Sequence, residues 1–227
     1  MVYAKRIAMD GPAGSGKSTI GSHLAAQLGY IFVDSGILYR AITAEMLRQA
    51  IRASDEARIK AAVQQLLVTV AVGNQGQLEI HINQRVISQN LHSAEINEAV
   101  SVIAAYQAVR VAVRQLQADL AKHDRLILAG RDIGTVVMPD ADLKLYLDAS
   151  LPERAARRYA SLASDQPTLL LAQVIDDLQR RDHHDSTRAE SPLKAADDAL
   201  ILMTDGLSIS QVVTRVLDAA RLSVMPG

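Results

Sequence analysis

The stretch DGPAGSGKST, which begins at Asp10, crowds three glycines and a proline ahead of a single lysine. Such a run favours neither helix nor strand, since glycine is conformationally loose and proline lacks a backbone donor. Gly11, Gly16, Lys17 and Ser18 satisfy the pattern G-x-x-x-x-G-K-[ST]. In that pattern successive backbone N–H groups turn inward around a phosphate, and the helix that follows adds partial positive charge at its N-terminus. Gly11, Pro12, Ala13, Gly14, Ser15, Gly16 and Thr19 are therefore candidates to wrap a nucleotide. Lys17 is placed to reach its β- and γ-phosphates, and Ser18 to offer a hydroxyl to Mg2+. The implied ligand is a nucleoside triphosphate.

The partner chemistry is carried by arginine. The chain has no N-K-x-D base reader of the kind a GTPase needs. The nearest approach to an apolar strand ending in paired acids is LKLYLD, where Ala149 follows Asp148. Arginines instead follow three predicted strands. DSGILYR places Ser35, Tyr39 and Arg40 after the second strand, and GRDIGT places Arg131 and Asp132 after a later one. A late stretch then holds Arg154, Arg157, Arg158, Arg180, Arg181 and Arg188. Each has a plainer reading: Arg157 and Arg158 as a solvated helix face, Arg181 and Asp185 as an ordinary i,i+4 pair, Tyr39 as core. His183 and His184 diverge on a helix, so they do not make a metal pair. Taken together, arginines after three strands opposite a phosphate loop suggest a two-substrate phosphoryl-transfer site.

These residues need elements to hold them. Arg6–Asp10 reads as a short apolar strand running into the loop, and Lys17–Leu28 as a helix stopped by Gly29. Residues 30–34 form a second strand and 37–52 a second helix. Residues 55–67 read as a helix leading into VTVAV, GNQGQ and LEIHIN, two strands about a glycine-containing turn. Helices over 93–106 and 107–123 follow, then strands at 126–130, 143–149 and 199–204 and a closing helix over 208–221. Strands alternating with helices imply a parallel sheet covered on both faces. The hairpin is a small antiparallel insert.

With 227 residues, 49% hydrophobic and 22% charged, the chain can bury a substantial core. A formal net charge of -1 gives no global attraction to nucleic acid or to membranes. One Phe and no Trp leave no stacking platform for single strands. Cysteine is absent, which excludes disulfides and thiolate chemistry. No early apolar run marks a signal peptide and no window approaches a membrane span. The expectation is a cytoplasmic protein. Of the 24 basic residues 18 are Arg, the side chain that grips phosphate in a bidentate way.

At this point the chain resembles a family, the bacterial-type cytidylate kinases among the P-loop nucleoside monophosphate kinases. The resemblance runs through IAMDGPAGSGKST, VDSGILYR, GRDIGTVVMPDADLKLYLDAS and RRDHHDSTRAESPLKAADDA. It implies an α/β P-loop kinase with a parallel five-stranded sheet flanked by helices, an antiparallel β insert in the part that binds the monophosphate, and a helical lid. The core would take about 1–35, 107–150 and 190–227, the monophosphate part about 36–106, and the lid about 151–189. The implied reaction moves the γ-phosphate of ATP to CMP or dCMP, with Mg2+, in what is expected to be a monomer.

Carried over by position, the resemblance makes Lys17, Arg131, Arg158 and Arg188 catalytic. Ser35, Arg40, Arg131 and Arg188 would surround the CMP phosphate, with Tyr39 packing nearby. Ser101, Arg110 and Asp132 would read cytosine, and Arg181 and Asp185 the ribose. Arg154, Arg157 and Arg158 would belong to a mobile lid that closes on the ATP phosphates. A carboxylate suits the 4-amino group of cytosine, whereas the oxygen at that position in uracil would face it unpaired. Where the family usually has D-G-R-D, this chain has Ala129, and Asp34 is the candidate to share the metal role with Ser18. A kinase for UMP or another monophosphate, and a nucleotide-gated binding protein with slow ATPase activity, remain as alternatives.

Overall fold

The computed structural model describes residues 3–72, 78–87, 91–164, 166–188 and 191–222. In chain order the elements are β1 (Arg6–Asp10), α1 (Lys17–Leu28), β2 (Ile31–Asp34), α2 (Gly36–Arg48), α3 (Glu56–Val63), β3 (Val68–Val72), β4 (Leu78–Ile82) and β5 (Arg85–Val86). There follow α4 (Ala94–Ile103), α5 (Gln107–Leu120), β6 (Leu126–Ala129), a π turn (Ile133–Val137), β7 (Leu143–Asp148), α6 (Leu151–Leu162), α7 (Leu171–Thr187), β8 (Leu200–Met203) and α8 (Ile209–Leu222). The strands form a five-stranded sheet in the order β2-β6-β1-β7-β8 and a separate three-stranded sheet, β3-β4-β5. The α/β fold class, with a parallel sheet and a small antiparallel insert, is the one the sequence implies.

The chain divides into two compact units, one of Met1–Tyr30 with Asp124–Gly227 and one of Ile31–His123. Helix α5 belongs to the second, although the sequence places residues from 107 onward with the core. In the first unit β1 lies parallel between β6 and β7, with Met9 level with Ala129 and Leu145. Ile7, Ala8 and Met9 are fully buried, which is why β1 reads as a continuous apolar run rather than an alternating one. Helix α1 starts at Gly16 and stops at Gly29, both left-handed, and the Gly29 N–H donates back to the Ala25 carbonyl.

In the second unit, β3 and β4 pair antiparallel from Val68 opposite Ile82 to Val72 opposite Leu78. The expected GNQGQ turn, 73–77, lies outside the described residues. A third strand, β5, was not expected. It returns through Asn83 and Gln84, both at positive φ (50° and 65°), a two-residue turn of the type that suits the twist of a hairpin. Gln84 in place of the usual glycine hides that turn in the sequence.

Glu45 of α2 fastens this insert. It is 1% exposed and accepts hydrogen bonds from Arg48 at 2.6 and 2.9 Å, from Gln49 at 2.9 Å and from Arg85 of β5. The hydrogen bonds from Arg48 lead in holding its carboxyl down to about 2, against the opposing effect of burial. Because the folded value is depressed, the stabilisation is present above the ordinary carboxylate range and is lost as pH falls from about 4.5 towards 2. Glu45→Ala removes a buried acceptor from two half-exposed guanidiniums and is expected to cost on the order of 1–2 kcal/mol. Calorimetry at pH 7 checks it, and the deficit against the wild type shrinks towards pH 3.

Candidate active site

Gly11 begins the phosphate loop where β1 meets β7. A Cβ there would stand 2.0 Å from the Leu147 carbonyl oxygen, at φ +147°, so the strands can approach only over a glycine. The loop closes on its own lysine. Lys17 Nζ donates to the Gly11 carbonyl at 2.8 Å, the Pro12 carbonyl at 2.7 Å and Ser15 Oγ at 3.2 Å. Lys17 and Ser15 are buried, while Ser18 and Thr19 stand exposed in the first turn of α1. The loop thus holds a buried cation against its own backbone carbonyls, at a helix N-terminus.

The lid arginines divide. Arg154 is expected to close on phosphates but is buried beneath the loop instead. Its Nε donates to the Ala149 carbonyl at 2.9 Å, and its Nη1 to the Ala13 carbonyl at 3.0 Å and to Asp182 Oδ2 at 2.6 Å. Ala13 also packs with Ala155, Val174 and Leu178. Arg154 therefore ties the loop tip to α6 and α7 and is spent on structure. Arg157 is anchored by Thr204, whose side-chain and backbone oxygens accept from it at 2.9 and 2.7 Å, and by Glu153 at 3.0 Å. Burial first, and then the neighbouring Arg181 guanidinium, hold Arg158 below the usual arginine range. Arg181 itself pairs with Asp177 at 3.1 Å. The i,i+4 pairing of Arg181 with Asp185 is not the one made.

Asp185 turns to other partners. Its Oδ2 accepts from Arg131 Nε at 2.8 Å, and its Oδ1 lies 3.4 Å from Arg188 Nη1. Arg188 Nη2 in turn lies 3.9 Å from Asp132 Oδ2, and Arg188 Nε donates to the Ser191 carbonyl at 2.5 Å. One carboxylate thus holds two arginines side by side, beside the buried Asp132. Two guanidiniums held by one acid are suited to a phosphate monoester.

Asp10 has no role legible in the sequence. It is 3% exposed, yet it accepts from Ile133 N at 2.9 Å and from Gly134 N at 2.7 Å. Burial pushes its carboxyl up to about 6, against the two backbone donors; Asp132 adds to the rise and Lys17 opposes it. The folded state therefore holds that proton more tightly than the unfolded chain. The charged form costs stability on the order of 2–3 kcal/mol above pH 6, and the cost vanishes below about pH 4.

In the second unit, Ser35 is buried and precedes α2. Tyr39 lies one turn into α2, its carbonyl accepting from Thr43 Oγ1 at 2.9 Å. Arg40 donates to the Leu91 carbonyl at 3.0 Å and to Asn97 Oδ1 at 2.7 Å. Ser101 is exposed near the end of α4, and Arg110 is buried in the first turn of α5 beyond a 100° bend. Asp34 spends Oδ1 on Gly36 N at 3.0 Å.

Among the described residues no three His, Cys, Asp or Glu gather as a metal cage. The single exposed Ser18 hydroxyl fits Mg2+, which keeps a shell of water and phosphate oxygens rather than an all-protein cage. Ala129 is fully buried at the end of β6 and brings no carboxylate to the strand end. Among the described residues no single helix is long and apolar enough to cross a membrane; α4 and α5 pass by composition only as a bent pair.

The sequence profile described as cytidylate kinase matches residues 7–222. The chain is 42% identical over 222 residues to a cytidylate kinase of Desulfitobacterium hafniense, covering 98% of this chain and 95% of that protein. It is 38% identical over 218 residues to a cytidylate kinase of Listeria monocytogenes, covering 96% of each. Among solved structures, a shikimate kinase from Acinetobacter baumannii matches with a TM-score of 0.52 at 16% identity, over 98% of this chain and 96% of that one. That likeness concerns the fold alone.

Proposed function

The chain belongs to the cytidylate kinase family, and from that membership we infer that it transfers the γ-phosphate of ATP to CMP or dCMP, releasing ADP and CDP or dCDP. It is an ATP-dependent phosphotransferase, and neither a kinase for another monophosphate nor a nucleotide-gated binding protein is favoured.

The division of labour among residues is proposed on the geometry. Lys17 exchanges its loop carbonyls for β- and γ-phosphate oxygens, while the loop amides of 13–16 and the exposed Thr19 wrap the triphosphate. Arg157, held by Thr204, lies near the loop, its Nη1 3.9 Å from where a Cβ on Gly16 would stand. Arg158 and Arg181 repel one another until phosphate charge arrives between them. Ser18, with Asp34 in support, would hold Mg2+, which would offset negative charge on the triphosphate.

On the acceptor side, Arg131 and Arg188 clamp the CMP phosphate and Asp132 accepts from the 4-amino group of cytosine. Asp185 takes the ribose while bridging the arginines. Of the second unit, the resemblance assigns Ser35 and Arg40 to the phosphate, Tyr39 to packing, and Ser101 and Arg110 to the base. The observation that carries the assignment is the Asp185 bridge, which fixes two forks beside one buried acid. No general base is required, because a phosphate monoester with its second pKa near 6 is already an anion at neutral pH. The chain then contributes positioning and charge neutralisation. The proposal includes a monomeric, cytoplasmic enzyme.

The test is ADP release with Mg2+ and ATP against CMP, dCMP, UMP, AMP and no acceptor. Fast turnover on CMP and dCMP is expected. Release at one rate whatever the acceptor would instead mark a slow ATPase.

A further inference from the structure

The π turn that follows Arg131 and Asp132 begins with two buried amides, Ile133 N and Gly134 N, that need acceptors. Asp132 stands at the capping position but makes no side-chain cap bond there. The acceptors come from 123 residues away in the chain, one oxygen each from Asp10. Asp10 is the last residue of β1, and the next residue opens the phosphate loop. A buried acid is an expensive cap where an asparagine or a backbone carbonyl could serve one amide at less cost. A carboxylate gives each of the two N–H donors its own oxygen.

We propose that Asp10 is a positioning residue for the acceptor nucleotide: by capping the π turn from the end of β1 it fixes the backbone that carries Arg131 and Asp132. The proposal rests on the reading of Asp132 and Arg131 as the CMP seat. Asparagine at position 10 accepts one N–H and turns its own NH2 on the other, so one end of the turn loosens. Gly134→Ala strains the same joint from the other side, because its Cβ would stand 3.4 Å from Asp10 Oδ2 and 3.3 Å from Lys144 Cδ. These are contacts that a small shift relieves, so that variant is expected to fold.

Steady-state kinetics with CMP and ATP varied in turn, on the wild type, Asp10→Asn, Gly134→Ala and Asp132→Asn, with Tm for each, test the proposal. Losing one charge-assisted bond to a buried amide is expected to raise KM for CMP and lower kcat by on the order of tenfold in Asp10→Asn. Gly134→Ala moves in the same direction by less, and KM for ATP stays within about twofold in both. If Asp10→Asn does not fold, Gly134→Ala carries the test. A lower Tm with KM for CMP unmoved, while Asp132→Asn raises it, overturns the proposal and leaves Asp10 a fold residue. An equal rise in KM for ATP also overturns it, assigning Asp10 to the phosphate loop. If Asp132→Asn leaves both KM for CMP and the CMP-over-UMP ratio of kcat/KM unchanged, the seat itself is misread and the proposal falls with it.

Discussion

Lys17→Ala lowers kcat for CMP phosphorylation on the order of a thousandfold. The expectation follows from the three bonds that Nζ makes inside the loop, to the Gly11 and Pro12 carbonyls and to Ser15 Oγ. Those oxygens hold the ammonium inside the loop, where the β- and γ-phosphates bind in loops of this pattern. A single preorganised donor at developing charge is worth about 100- to 1,000-fold in rate, and Lys17 brings a full charge in a water-poor site. Lys17→Arg keeps the charge but cannot fit a planar fork into a loop shaped for a point donor, so it recovers little. Rapid-quench turnover with Tm measured alongside separates chemistry from folding. A loss under tenfold in a folded variant would remove Lys17 from the centre of the reaction.

Asp132→Asn changes which base is accepted. The wild-type carboxylate can only accept, which matches the 4-amino group of cytosine and opposes the 4-oxo group of uracil. Asparagine can turn either its oxygen or its NH2 to the base. The ratio of kcat/KM for CMP over UMP is expected to fall by on the order of a hundredfold, since a buried polar site rejects the analogue that leaves it unpaired. The burial of Asp132, 6% exposed, is what makes the effect large. Competition kinetics with both nucleotides in one vessel reads the ratio directly, and an unchanged ratio would assign base choice elsewhere.

Much of this architecture is legible in the residues. The apolar run of β1, the glycines at both ends of α1 and the strand–helix alternation place the phosphate loop correctly, because each signal is local. The arginines are legible as a set but not one by one. Arg154 and Arg158, four residues apart on one helix face, look alike in sequence, yet one is buried under Ala13 and the other lies beside Arg181. Which acid pairs with Arg181 is equally hidden: Asp177 and Asp185 are both four residues away, and only the fold turns Asp185 towards Arg131. Strand β5 is missed because Asn83 and Gln84 take positive φ without a glycine to announce it. Asp10 is missed because its partners lie 123 and 124 residues away and are backbone amides, which leave no trace in side-chain spacing.

The most direct measurement is a crystal structure of the enzyme with CMP bound. The account expects the cytosine 4-amino group at about 3 Å from the Asp132 carboxylate and the phosphate held by Arg131 and Arg188 together. A cytosine lying away from Asp132, or a phosphate that meets neither arginine, would contradict the assignment of the acceptor seat.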